Sequence, residues 1–149
     1  MYALALLQMV GCGTDTPAGD GKMVTFDTVC NKAHEGAVVT LEGFLDFPSR
    51  FNAKAATIVM RLQAAPTRTS RFIGARVTLN AGTNTIIPPP DKYNESDLKA
   101  LTHDGKPANY KTRVKVTGAM RFVDSLETRE FQCVLTNTRV DLAGEAASK

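Results

Sequence analysis

The sequence contains no tryptophan, only three cysteines and two histidines, and few aromatic residues of any kind, 7% in all. Thiols and imidazoles this sparse, without short paired spacings, do not build a zinc site, and no metal or other cofactor is expected. A long apolar run is missing too: the first, from Tyr2 to Val10, falls well below the roughly 20 residues that a membrane-spanning helix needs. No Lys or Arg precedes it. The most informative absence is acidic. The 44 residues between Asp46 and Asp91 hold no carboxylate, yet they carry Arg50, Lys54, Arg61, Arg68, Arg71 and Arg76, a net +6. The rest of the chain, with 12 of the 18 basic residues and all 15 acidic ones, is net −3. Such a stretch either meets an anion or forms a solvated basic face.

At 149 residues, 43% hydrophobic and 22% charged, the chain is sized for one folded domain with one core. Its apolar start ends in Met9-Val10-Gly11-Cys12-Gly13, and Thr14 to Gly21 is polar and without periodicity. This arrangement resembles a bacterial lipoprotein signal. The resemblance implies a signal segment over 1–11, cleavage before Cys12, a lipid on Cys12 and a tether over 12–23. The mature protein is then expected in the cell envelope, periplasmic or surface-facing, with the membrane as a partner through Cys12. A start upstream of Met1 would supply the positive charge that such signals carry. Two thiols remain, Cys30 and Cys133; an exported protein could oxidise them to a disulfide, and two buried free cysteines are the alternative.

Phe26, Val29, Cys30 and Ala33 recur with the period of a helical face, and Glu35-Gly36 follows as a stop, so a short helix is expected there. From Ala37 the pattern turns to alternation. Val39, Leu41, Gly43, Leu45 and Phe47 form one side of a first strand. A second strand sets Ile58, Met60 and Leu62 against Val59, Arg61 and Gln63, and a third sets Ile73, Ala75, Val77 and Leu79 against Phe72, Gly74, Arg76 and Thr78. Pro88-Pro89-Pro90 ends the sheet pattern, and Asn94 is placed to cap a short helix running to Leu101. Val114, Val116, Gly118, Met120 and Phe122 form a fourth strand, and Phe131, Cys133, Leu135 and then Val140 to Leu142 a fifth.

Three strands, a helix and two strands is the order of the OB-fold, a five-stranded Greek-key barrel dominated by β-structure. The glycine-ended Val39-Thr-Leu-Glu-Gly43 and Val114-Lys-Val-Thr-Gly118 are similar to the first and fourth strands of that fold. The chain resembles the OB-fold, tRNA-anticodon-binding-like domains of bacterial lipoproteins over residues 24–143, with a disordered tail over 144–149. No catalytic motif accompanies the resemblance, and no enzyme is expected.

Domains of this fold bind ligands on the outer face of strands two and three, beside the loops that follow strands one and four. The acid-free stretch falls there. Arg61, Gln63, Phe72 and Arg76 take the non-core positions of those strands, with Arg50 and Phe51 in the preceding loop, and these six are the candidate ligand-binding residues. Cations with aromatic rings suit single-stranded nucleic acid, the charge tracking phosphates and the rings stacking bases. Lipid anchoring favours an anionic envelope polymer instead, and an open barrel edge leaves room for a protein partner. A monomer is expected. His34, one helical turn after Cys30, could meet its thiol, but no orienting group or oxyanion site accompanies the pair.

Overall fold

The structure, a computed structural model, describes residues 20–48, 50, 52, 54–79, 82–123 and 129–144. Cys12, Phe51 and residues 145–149 lie outside them, and so do the signal segment and most of the tether. Among the described residues nine strands join in one sheet. They are β1 (Lys22–Met23), β2 (Val38–Asp46), β3 (Thr57–Gln63), β4 (Phe72–Leu79), β5 (Thr85–Ile86), β6 (Ala100–Leu101), β7 (Pro107–Ala108), β8 (Arg113–Phe122) and β9 (Cys133–Leu142).

The five long strands close on themselves. β2 pairs antiparallel with β3, β3 with β4, and β8 with both β2 and β9, while β4 and β9 run parallel through Gly74↔Val134 and Ala75↔Leu135. Closure in the order β2-β3-β4-β9-β8 makes the five-stranded barrel with the OB-fold arrangement expected from the strand pattern. Closure also removes the open edge that was to receive a partner strand. Among the described residues the sheet ends at β1 and β7, two residues each, too short to template much pairing.

Alternation decides which side chains fill the barrel, because successive residues of a strand point to opposite faces. Val39, Leu41 and Leu45 from β2, Met60 and Leu62 from β3, Ala75 and Val77 from β4, and Val114, Val116 and Met120 from β8 are all essentially inaccessible. Burying a side chain of the Leu or Met class contributes about 1.5–3 kcal/mol, so this lining is the main source of stability. In β9 the inward phase changes from Cys133 and Leu135 to Val140. The reason is a bulge: Thr117 pairs with Arg139 but Ala119 with Thr136, and the extra residue, Asn137, sits at φ 50°. Gly118 lies opposite, where a Cβ would stand 2.7 Å from the Thr136 carbonyl oxygen. This ties the glycine at the end of the fourth-strand pattern to a bend in its neighbour.

Both expected helices are corrected. Between the third and fourth barrel strands, Glu95–Asp97 makes one 3₁₀ turn, with Asp97 Oδ2 accepting from the Asn94 N–H at 2.9 Å. Beyond it Leu98 turns to extended backbone, and Leu98, Ala100 and Thr102 are buried at every second position. Ala100–Leu101 gains more from pairing with β5 and β7 than from continuing an isolated turn, since short helices are marginal in water. Near the N-terminus, residues 26–30 form turns, followed by a 3₁₀ turn at Lys32–His34. Asn31 interrupts them: it is extended at ψ 139°, and its side chain accepts from the Ala33 N–H. Phe26, Val29 and Cys30 still pack on the core, while Ala33 is exposed.

The last two residues of the expected tether, Lys22 and Met23, are strand instead. Lys22 and Met23 pair with Val39 and Thr40, and the Val24 N–H donates to the Thr40 carbonyl at 3.0 Å. The folded body therefore begins before residue 24.

The β6–β7 loop holds a carboxyl whose neighbours favour its charged form. Asp104 accepts from the Thr102 hydroxyl at 2.5 Å and lies 3.4 Å from Lys106 Nζ. The hydroxyl bond foremost, then Lys106, holds Asp104 below its usual 3.8 against an opposing desolvation. A depressed carboxylate pKa contributes stability above the unfolded value, and that contribution is lost as pH falls through the folded one. NMR titration should place the Asp104 midpoint below 3.8, and Thr102→Val should move it upward. No movement in that variant would show that the hydroxyl is not the cause.

Candidate functional site

β3 and β4 are the longest antiparallel hairpin of the acid-free stretch, and the structure carries its cations to different ends. Arg61, on the outward side of β3, lies with its guanidinium 4.3 Å from the centre of the Phe72 ring and 2.7 Å from Glu130 Oε2. Phe72, at the start of β4, meets Phe131 edge-on at 5.9 Å between ring centres. Gly74 makes room for the Phe131 ring, because a Cβ there would meet Val134 Cγ2 at 2.8 Å and Phe131 Cγ at 3.1 Å. The result is a small packed cluster on the outside of the barrel: Arg61, Phe72, Glu130 and Phe131. Stacking of Arg on an aromatic face combines cation–π attraction with planar packing, and Glu130 supplies the counter-charge.

The other candidates separate. Gln63 stands in the outward series but is 3% exposed, covered rather than presented to solvent. Arg76 is half-buried, with Nη1 3.5 Å from the Thr57 hydroxyl. Arg50 is exposed in the loop between β2 and β3, next to Phe51, which lies outside the described residues. Arg71 pairs with Asp27. Arg50, Lys54, Arg68 and Arg76 have no acidic partner among the described residues. Arg68 was not among the candidates; its position in the β3–β4 turn gave no sign that it would border two clefts.

Those clefts share Asp46, Phe47 and Arg68. The smaller, of about 290 Å³, runs beside the packed cluster and includes Val59, Arg61, Glu130 and Phe131. The larger, of about 460 Å³, lies between the end of β2, Gln63, and the connection bearing Tyr93, Leu98 and Tyr110. Glu130 could not be linked to Arg61 in advance, since 69 residues separate them.

No family model matches the chain, and no curated protein matches it. The two described thiols and His34 have structural partners. Cys30 and Cys133 form a disulfide across 103 residues, with Cα atoms 5.5 Å apart. The bridge takes up the Cys30 thiol, and His34 Nδ1 lies 2.9 Å from the Thr28 carbonyl oxygen. The His103 N–H donates to the Val140 carbonyl at 2.7 Å and latches its loop to β9.

Proposed function

We propose that this domain is a non-catalytic binding module of a membrane-tethered cell-envelope lipoprotein, holding an anionic envelope ligand against β3, β4 and their flanking loops. The observation that carries the reading is charge left uncompensated. Arg50, Lys54, Arg68 and Arg76 lie on this hairpin and its loops without an acidic partner among the described residues, while Arg61 and Arg71 are taken by Glu130 and Asp27. Cations that are not neutralised within the protein keep their attraction for an external anion, and each contributes on the order of 1 kcal/mol near an anionic surface. A lipid on Cys12 would hold the domain next to such a surface.

Single-stranded nucleic acid is the weaker reading on this geometry. Base stacking needs a free ring face, and the Arg61 guanidinium already lies over Phe72 while Phe131 fills its edge. The test compares vesicles rich in anionic lipid, an anionic envelope polymer and single-stranded DNA at matched salt. Replacing Arg50, Arg68 and Arg76 together by Ala should weaken binding to the envelope ligand about a hundredfold, with a shallower salt dependence. Lys32→Ala, on the first 3₁₀ turn, should change little. A loss from Lys32→Ala one third that of the triple variant in free energy, in proportion to the charge removed, would reduce the effect to net charge, and preference for DNA would favour the other reading. Lipid attachment is checked separately by mass spectrometry of native membrane protein; a chain that keeps residues 1–11 would remove the envelope assignment.

A further inference from the structure

The Arg61–Glu130 pair joins two unlike partners. Arg61 stands within β3 with its guanidinium 4.3 Å from the centre of the Phe72 ring, so strand and stacking fix its position as well as charge does. Glu130 lies in the turn before Phe131, and Arg61 is what holds its carboxylate among the described residues. The Glu130 side chain is 51% exposed against 33% for Arg61, so the carboxylate can turn into water without uncovering the core. An ion pair at such exposure is weak, worth at most about a fivefold bias toward the paired state.

The pair also borders a cleft, which an ordinary surface ion pair has no need of. The smaller cleft, of about 290 Å³, is lined by both Arg61 and Arg68, with Phe47, Val59 and Phe131 as apolar wall. Its two carboxylates, Asp46 and Glu130, balance the two guanidiniums while the pair is closed. Once Glu130 has turned out, two guanidiniums face one carboxylate. A planar guanidinium takes a carboxylate or a phosphate through parallel N–H donors, and Glu130 Oε2, 2.7 Å from Arg61 Nη2, marks where such an oxygen sits. We propose that Glu130 is an internal competitor for the ligand: its carboxylate holds the place on Arg61 that an oxyanion group of the anionic ligand, carboxylate or phosphate, takes when Glu130 turns outward. Arg68 supplies the second cation of the same cleft, and the apolar wall suits an oxyanion carried on a small apolar body. The proposal rests on the anionic-ligand reading above and adds where that ligand is gripped and what opposes it.

Benzoate and phenyl phosphate carry the two oxyanions on one apolar ring, and benzamide is their neutral counterpart. Each is titrated into the full chain while the Arg61 side-chain Nε–H resonance is followed by NMR. Glu130→Gln, and equally Glu130→Ala, should bind the anions about fivefold more tightly than the parent and leave benzamide unchanged. Glu35→Gln removes the same charge from the exposed end of the first 3₁₀ turn and should bring no such gain. The Arg61 resonance should move saturably, and adding Arg61→Ala to Glu130→Gln should abolish the gain. Tighter benzoate assigns a carboxylate and tighter phenyl phosphate a phosphate, and either rank supports the proposal. An equal gain from Glu35→Gln, a gain that survives Arg61→Ala, or an unmoved Arg61 resonance would overturn it. If the parent binds the anions and Glu130→Gln adds nothing, the competitor role fails and the basic-face reading stands. Loss of all anion binding in both chains would overturn the proposal as well, whereas the basic-face reading is decided separately by the vesicle and polymer comparison.

Discussion

Removing the Cys30–Cys133 bridge should cost more stability than any other covalent change available to this chain. The bridge spans 103 residues and ties the turns after β1 to the first residue of β9. In the chain-entropy account, a loop of this length restricts the unfolded ensemble by about 4–5 kcal/mol. The native side reinforces the effect, because Cys133 is fully buried and Val29, beside Cys30, is inaccessible. Without the bridge that segment keeps backbone ties such as Val24 to Thr40 and Gly36 to Met120. The double variant Cys30→Ala with Cys133→Ala, or the reduced parent, should therefore melt on the order of 10–20 °C lower. Thermal unfolding followed by circular dichroism, with and without reductant, measures this. An unchanged midpoint on reduction would show that the barrel is sufficient and that the bridge only fastens a peripheral turn.

A second large effect is expected at Gly43. Its backbone crosses β3 so closely that a Cβ would stand 2.4 Å from the Gln63 carbonyl oxygen, with Phe26 and Leu62 side-chain atoms at 3.1 and 3.2 Å. The nearest obstacle is backbone, which cannot rotate away. Gly43→Val would have to open the β2–β3 pairing at Phe44↔Gln63 or displace the core beneath it, at a cost of about 3 kcal/mol. Because the same pairing positions Gln63 at the larger cleft, the variant should also disturb that cleft. Urea unfolding gives the stability change. A loss below about 1 kcal/mol would mean that the strand crossing yields easily, and the glycine would then be a matter of strand bending alone.

How much of the site was legible follows the same divide between near and distant residues. The concentration of cations between Asp46 and Asp91 is a property of the chain and needs no coordinates. Which of them remain available is not, because Glu130 and Asp27 reach Arg61 and Arg71 only through the folding of other segments. Gln63 illustrates the limit of alternation. Its position in β3 assigns it correctly to the outward series, yet that side of the strand is covered at its end, so outward does not mean exposed. The cleft beside it draws residues from β2, β3, the β3–β4 turn and two later connections, and no spacing along the chain announces such a convergence.

What the sequence by itself determined is the set of five long strands and most of their inward faces, because alternation is local and a one-residue slip would expose every apolar side chain; Phe122, set in the inward series of the fourth, stands exposed at its end. It also marked Gly43 and Gly118 as special, and it carried the phase change between Leu135 and Val140 that became the bulge at Asn137. Tertiary structure decided the rest. Strands as short as β5, β6 and β7 have no periodicity to read, and they exist because a neighbour supplies the hydrogen bonds that two residues cannot supply for themselves. The expected helix before Leu101 gave way for the same reason: an isolated turn gains little from propagating, and pairing at Ala100–Leu101 was available only once β5 and β7 stood on either side. The disulfide, the Arg61–Glu130 pair and the buried amide of Gln63 likewise depend on proximity across long loops. That proximity is a consequence of barrel closure and of no local preference.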